Sequence, residues 1–326
     1  MTFKDLYLAF YEYQSDKVRE STIKTYRDRI KYLELFDKIK LREMNIKHFE
    51  LWKKEINKLP LATSYKNDLF KFVKAILNFG TKWYDFNFAP MYNKMTNFTN
   101  PNELKKEMEF FTIEEFNKFI SVENDILFRP LFETLYYMGL RKGELRGLQW
   151  KDIDFNNKMM KIYKQIPSIY SIDNYRLSPL KTKNSNRDLP INDILLEDLE
   201  KLYNSQKQYK NFNQEWYVFG NDLPIHKDTI RRRKNANCKE AGVKQIRVHD
   251  FRHSCASFLI NYGASITLVA KYLGHTKIDE TLNTYSHMYQ NKLEDIVKLI
   301  NQNAKRIKEE NVIENDSIDE DLEIDI

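Results

Sequence analysis

Residues 248–254 read VHDFRHS, and much depends on what the two histidines in this stretch are for. His249 and His253 stand four apart, so on a helix they share one face. That spacing is close to the HExxH pattern with which a helix holds zinc. The general base of that pattern is a glutamate, whereas this chain places the shorter Asp250 there. Arg252 lies in the same turn and would repel a divalent cation. Read differently, His249 and Arg252 at i and i+3 share one helix face. On this reading no metal is expected.

Other stretches carry residues that could do chemistry. GLRKGELRGLQW (139–150) sets Arg141 at the start of a helix. LKTKNSNRDLPI (180–191) puts Lys181 and Lys183 in a polar, turn-rich segment. That segment lies between the strand-like KMMKIYKQI (158–166) and RDLPI (187–191), which predicts a short antiparallel sheet. LGHTKIDETLNTYSHM (273–288) supplies His275 and, ten residues later, Tyr285. A tyrosine is ordinarily core filler with its hydroxyl at the edge. The Thr, Asn, Ser and His around Tyr285 suggest instead a hydroxyl kept wet and reactive. His253 and His287 are read as structural neighbours. There is no GxxxxGK[ST] loop and no GxGxxG, so nucleotide binding has no support.

The rest of the chain reads as two domains, which its 326 residues accommodate. In STIKTYRDRIKYLELF (21–36), Ile23, Tyr26, Ile30, Leu33 and Phe36 fall at helical spacing behind a cap at Ser21. In TSYKNDLFKFVKAILNFGTKWY (63–84), Leu69, Val73, Ile76 and Phe79 point inward. Lys24 and Arg27 on one helix, and Lys66, Lys71 and Lys74 on the other, form outward cationic faces suited to phosphates. A helical domain is thus expected over 1–88, and a Pro- and Asn-rich linker over 89–103. A mixed domain with its first helix capped by Thr112 and Glu115 follows over 104–300, then an acidic, disordered tail over 301–326. The fold class is mainly α with a small antiparallel sheet.

The formal charge of +6 conceals an asymmetry. Nine of the 47 acidic residues lie between Glu309 and Ile326, where no basic residue stands. Without them the 53 Lys and Arg face only 38 acids, an excess suited to nucleic acid. Arg231, Arg232, Arg233 and Lys234 form a run of four cations at a helix start, expected to contact phosphates. Cys238 and Cys255 have no disulfide or metal spacing, so a reducing cytoplasm is the default. No apolar run is long enough for a membrane span.

The order Arg141, Lys181, His249-x-x-Arg252, Leu-Gly-His275, Tyr285 resembles that of the tyrosine recombinases, the phage and transposon integrases. The resemblance covers about 104–300, and the first domain is similar to the core-binding domain of that family. It implies a two-domain clamp on double-stranded DNA and a homotetramer on two sites. Accessory DNA-bending or directionality proteins would be partners, and no cofactor is needed. It implies that Tyr285 is the nucleophile of a 3′-phosphotyrosine link, and that Arg141 and Arg252 clamp the scissile phosphate. Lys181 would be the general acid, with Lys183 as alternative, and His249 and His275 would position the phosphate or take the phenol proton. Such integrases often carry an arm-binding domain ahead of the core-type helices with which this chain starts. That leaves a Xer-like resolvase of DNA dimers as a rival to an integrase; a DNA-binding protein keeping the fold without catalysis is a rival of another class, against which every catalytic position is filled. A stripe of Leu293, Ile296, Val297 and Ile300 is expected either to pack on its own catalytic domain or to dock on a neighbouring subunit.

Overall fold

The computed structural model describes residues 1–103, 108–167, 169–170, 175–180, 182, 185–290, 297, 300 and 301. The chain divides into two compact units, Met1–Lys106 and Glu107–Ile326.

The first unit is helical: α1 (Phe3–Ser15), α2 (Glu20–Ile30), α3 (Ile46–Lys58), α4 (Thr63–Tyr84) and the single turn α5 (Ala89–Tyr92). α1 begins in a capping box, with Thr2 Oγ1 accepting from the Asp5 amide and the Asp5 carboxylate accepting from the Thr2 amide. The helix expected to run from Ser21 to Phe36 behaves differently. It starts at Glu20 without a side-chain cap, and beyond Ile30 it tightens into a 3₁₀ turn over Lys31–Phe36. Residues i and i+3 eclipse in that geometry, which brings Leu33 and Phe36 together onto the core. In α4, Leu69, Val73, Ile76 and Phe79 are buried as the pattern predicts.

Two expectations for this unit need correction. Lys66 does not face outward: it is buried, and its Nζ donates to the Asn57 carbonyl at 3.1 Å. That carbonyl lies in the last turn of α3, where backbone acceptors have no helical partner. The segment expected as a linker joins the first core, burying Met91, Met95 and Phe98. Asn67 holds it with two hydrogen bonds, receiving the Phe98 amide (2.8 Å) and donating to the Phe98 carbonyl (3.0 Å). A side-chain amide replaces a strand here, so no periodicity marks the element. Lys24 and Arg27 are exposed, as is Lys71, which pairs with Asp68. Lys74 lies over the rings of Phe70 and Tyr92.

The second unit opens with α6 (Ile113–Ser121), capped by Thr112 and Glu115 as expected, followed by α7 (Phe128–Tyr137) and the short α8 (Lys142–Gly147). Strands β1 (Ile153–Asp154), β2 (Met159–Ile162), β3 (Lys164–Gln165), β4 (Ser178–Pro179) and β5 (Arg187–Pro190) come next. The sheet order is β1-β2-β5, all antiparallel, with Met160 opposite Leu189 and Ile162 opposite Arg187; β3 and β4 form a separate ladder. Helices α9 (Asp193–Lys207), α10 (Lys227–Glu240), α11 (Asp250–Asn261), α12 (Ile266–Leu273) and α13 (Ile278–Gln290) complete the described fold. Val297 and Ile300 of the terminal stripe are exposed, while Leu293 and Ile296 lie outside the described residues.

α11 is the central helix. Its small residues, Ser254, Cys255, Ala256 and Ser257, let neighbours approach closely on several sides. Phe251 inserts among Phe111, Phe119 and Phe132, with ring centroids 5.5 to 5.8 Å away. Ser254 Oγ accepts the Phe111 amide at 2.8 Å, tying the segment before α6 to the helix. Phe251→Ala is therefore expected to cost the second unit about 3–5 kcal/mol, measured as a lower urea midpoint.

Candidate active site

Two left-handed glycines shape the site. Gly139 (φ +59°) turns the chain between α7 and α8, where a Cβ would stand 2.7 Å from the Leu273 side chain. Gly274 (φ +69°) ends α12, where a Cβ would crowd Arg187 and the Ser185 carbonyl. The first turn delivers Arg141 two residues later, and the second delivers His275 in the next position. Both also present carbonyls to Arg252 of α11. Its Nη1 donates to Gly139 O at 2.8 Å and its Nη2 to Leu273 O at 2.6 Å. Arg252 is almost wholly buried, and burial together with Arg141 pushes its pKa down. A guanidinium nonetheless stays charged at neutral pH.

Arg141 caps α8 and donates from Nη1 to Glu144 Oε1 at 2.9 Å. The other Glu144 oxygen accepts the Arg141 amide and Arg187 Nη2, each at 3.0 Å. Burial pushes the Glu144 carboxyl up, but Arg187, Arg141 and Arg252 outweigh it and hold the group below the usual range. Three guanidiniums thus surround one carboxylate, leaving a net positive site.

The imidazoles are neutral. Burial first, then Arg252, lowers His249. Burial with Arg252, Arg141 and Arg187 pushes His275 down to about 3. Its Nδ1 lies 2.6 Å from Thr281 Oγ1. Tyr285 on α13 was expected to keep a wet hydroxyl, but it is 1% exposed. Its ring packs with Cys255, Ala256, Ile260, Val269 and Leu273. Its hydroxyl lies 2.6 Å from Nδ1 of His253, the residue read as a structural neighbour. Asp250, the candidate base of a zinc motif, instead receives Arg247 through a forked ion pair.

Lys181 and Lys183 lie outside the described residues. Their described neighbour Thr182 bonds Thr276 at 3.0 Å, which joins Thr182 to the turn carrying His275. The four-cation run divides. Arg233 forms a bidentate pair with buried Glu123, and Lys234 is buried with its Nζ on the Ile246 carbonyl. Successive helical residues are 100° apart, so four in a row cannot share one face. Arg231 and Arg232 remain exposed. Arg231 lines a cleft of about 660 Å³ with Lys142, Lys227, Arg247 and His249. Burial and the neighbouring Lys227 lower Lys142, as in a site holding more cations than counter-charges.

The sequence profile of the phage integrase family matches residues 106–292. The chain belongs to that family. An integrase, ICEBs1 integrase of Bacillus subtilis, is 34% identical over 200 residues, covering 59% of this chain and 54% of the relative. A tyrosine recombinase XerC-like protein of Caldanaerobacter subterraneus subsp. tengcongensis is 30% identical over 220 residues, covering 62% and 56%. This integrase-family chain thus spans about half the length of the curated relatives it matches. Among solved structures, the Tn1549 transposon integrase with transposon right end DNA shares the fold. Its TM-score is 0.70 at 20% identity, over 90% of this chain and all of that one. A lambda integrase dimer on a core site gives 0.59 at 14% identity, over 87% and 95%.

Glu144 and Arg187 are missing from the sequence reading, and His253 enters it only as a structural neighbour. Glu144 had a legible signal, since an acid three residues after a helix start is a capping position. Arg187 looks like any strand cation, and His253 like any helical neighbour of Arg252.

Glu144→Gln leaves the guanidiniums facing one another and is expected to destabilise the second unit by about 3–5 kcal/mol, read by urea denaturation. A second expectation concerns acid. His253 and His275 have folded pKa values of about 4 and 3 against an ordinary 6.5. Between those values the unfolded chain binds protons that the folded chain refuses, so stability falls as pH drops from 6.5 to 4. The urea midpoint should follow that fall, and more shallowly in His275→Gln.

Proposed function

We infer that the chain is a site-specific DNA recombinase. It cuts and rejoins double-stranded DNA through a covalent 3′-phosphotyrosine at Tyr285, integrating or excising a mobile element. The observation that carries this reading is the group of Arg141, Arg187 and Arg252 around the single carboxylate of Glu144. Its surplus charge suits a phosphodiester whose non-bridging oxygens gain charge during attack. Arg141 and Arg252 grip those oxygens with permanently charged, planar donors. His249 and His275, both neutral, donate hydrogen bonds to the phosphate. Lys181, with Lys183 as alternative, protonates the departing 5′ oxygen. The energy of the broken bond stays in the phosphotyrosine, so rejoining requires no cofactor.

Arg231, Arg232 and the lysine-lined cleft extend the cationic track along the DNA backbone. Lys24, Arg27, Lys71 and Lys74 give the helical unit its own phosphate-facing cations. The working assembly is a homotetramer on two cytoplasmic DNA sites, served by accessory proteins that bend DNA or set direction. Resolution of DNA dimers would use the same chemistry. The higher identity to an integrase than to the XerC-like protein favours a mobile element.

Tyr285→Phe should bind a nicked DNA site with unchanged Kd and form no covalent adduct in denaturing gels. An adduct from that variant would remove Tyr285 from the mechanism. Lys181→Ala should cleave at least about 100-fold more slowly. A 5′-bridging phosphorothioate should restore its rate, because a thiolate leaves without a proton. Rescue of Lys183→Ala instead would move the acid role to Lys183.

A further inference from the structure

A phenol with an ordinary pKa near 10 is protonated at neutral pH, so its attack requires an acceptor for the proton. Family resemblance suggests His249 or His275 for that task. The geometry points to His253: as Tyr285 attacks the scissile phosphate, its phenolic proton passes to His253 Nδ1. This assignment rests on the recombinase reading above and adds a catalytic residue to it.

Reach is the first requirement of a general base, and it is met. His253 Nδ1 lies 2.6 Å from the Tyr285 hydroxyl, whereas His275 Nδ1 is engaged with Thr281 Oγ1. With its proton on Nε2, the His253 ring presents an open lone pair to the phenol. Both partners are fixed. The Tyr285 ring is held by Cys255, Ala256, Ile260, Val269 and Leu273. His253 is carried by α11, one residue after Arg252, so base and phosphate clamp share one rigid element.

The second requirement is a free lone pair. Burial, followed by His249, pushes His253 down to about 4, so the ring is neutral at pH 7. The charged and titratable groups acting on it are His249, Asp250 and Arg252 of the same segment, Arg247 before it, His275 from the turn after α12, and Tyr285 from α13. Asp250 pulls the pKa up, while His249, Arg247 and Arg252 press it down. A phosphodiester bound at Arg252 offsets that guanidinium's charge and raises the basicity of His253. The base therefore strengthens when substrate arrives.

The step balances. The bond from Tyr285 Oη to phosphorus forms, and the bond from phosphorus to O5′ breaks. The phenol proton moves to His253, and the leaving O5′ takes a proton from the general-acid lysine. In rejoining, the 5′-hydroxyl attacks and gives its proton back to the now neutral lysine, the bond from phosphorus to Tyr285 Oη breaks, and His253 returns its proton to the departing Tyr285 oxygen.

The test is the rate of covalent adduct formation by the full chain on a nicked site, between pH 6 and pH 9. His253→Gln should bind DNA with unchanged Kd and react about 10²–10⁴-fold more slowly at pH 7. Its rate should then climb about tenfold per pH unit as phenolate replaces phenol, while the unsubstituted chain stays much flatter. Added imidazole should partly restore His253→Gly. Because a substituted α11 could misfold, 3,5-difluorotyrosine at position 285 supplies a second measurement. This more acidic phenol should shrink the loss caused by His253→Gln by about tenfold or more. Unchanged cleavage by His253→Gln would overturn the assignment. So would a loss of equal size at every pH that fluorotyrosine leaves untouched. If the unsubstituted chain forms no adduct, the recombinase reading itself fails; if only the His253 results depart, this inference alone does.

Discussion

Glu144 sits without solvent contact between two guanidiniums, 2.9 Å from Arg141 at one oxygen and 3.0 Å from Arg187 at the other. A lone buried carboxylate would be too costly to keep ionised, and three clustered guanidiniums would drive one another apart. Each charge is tolerable because of the others. The pairing also joins distant parts of the chain: Arg141 starts α8, and Arg187 starts β5. Arg187 additionally packs beside Gly274, just ahead of His275. One carboxylate thus fixes the distance between a helix start, a sheet edge and a helix end, which are the places that carry candidate site residues.

How far the sequence could be read depends on whether each contact is local or distant. The capping box at Thr112 and Glu115, the apolar face of α4 and the pairing of β2 with β5 are periodic or adjacent features, and all were legible. The segment after Phe88 was not, because its place in the core depends on Asn67, 31 residues from Phe98. Lys66, Arg233 and Lys234 looked like surface cations, yet each meets an acceptor that only the folded chain brings near. Sequence pattern reveals which face a residue occupies far better than what waits opposite it.

The candidate site shows the same division. Arg141, Arg252, His249, His275 and Tyr285 stand out as candidates by their order along the chain, and the fold draws the groups around Arg252 into shared electrostatics. The polar flanks of Tyr285 suggested a wet hydroxyl. Its ring is instead buried where α11, α12 and α13 meet, and its hydroxyl rests on an imidazole. Neutral imidazoles beside permanent cations follow from the same cause, since a positive surrounding disfavours a further proton.

The anchoring of Arg252 has a consequence for sequence drift. Its donors end on main-chain carbonyls, of Gly139 and Leu273, rather than on side chains. Every amino acid carries a carbonyl, so exchanging side chains around the guanidinium leaves its anchors in place. The vulnerability moves to the backbone path, at Gly139 and Gly274, where a Cβ has neither the conformation nor the room. The orientation of this arginine is therefore inherited through two residues that never touch a phosphate and have no side chain to offer.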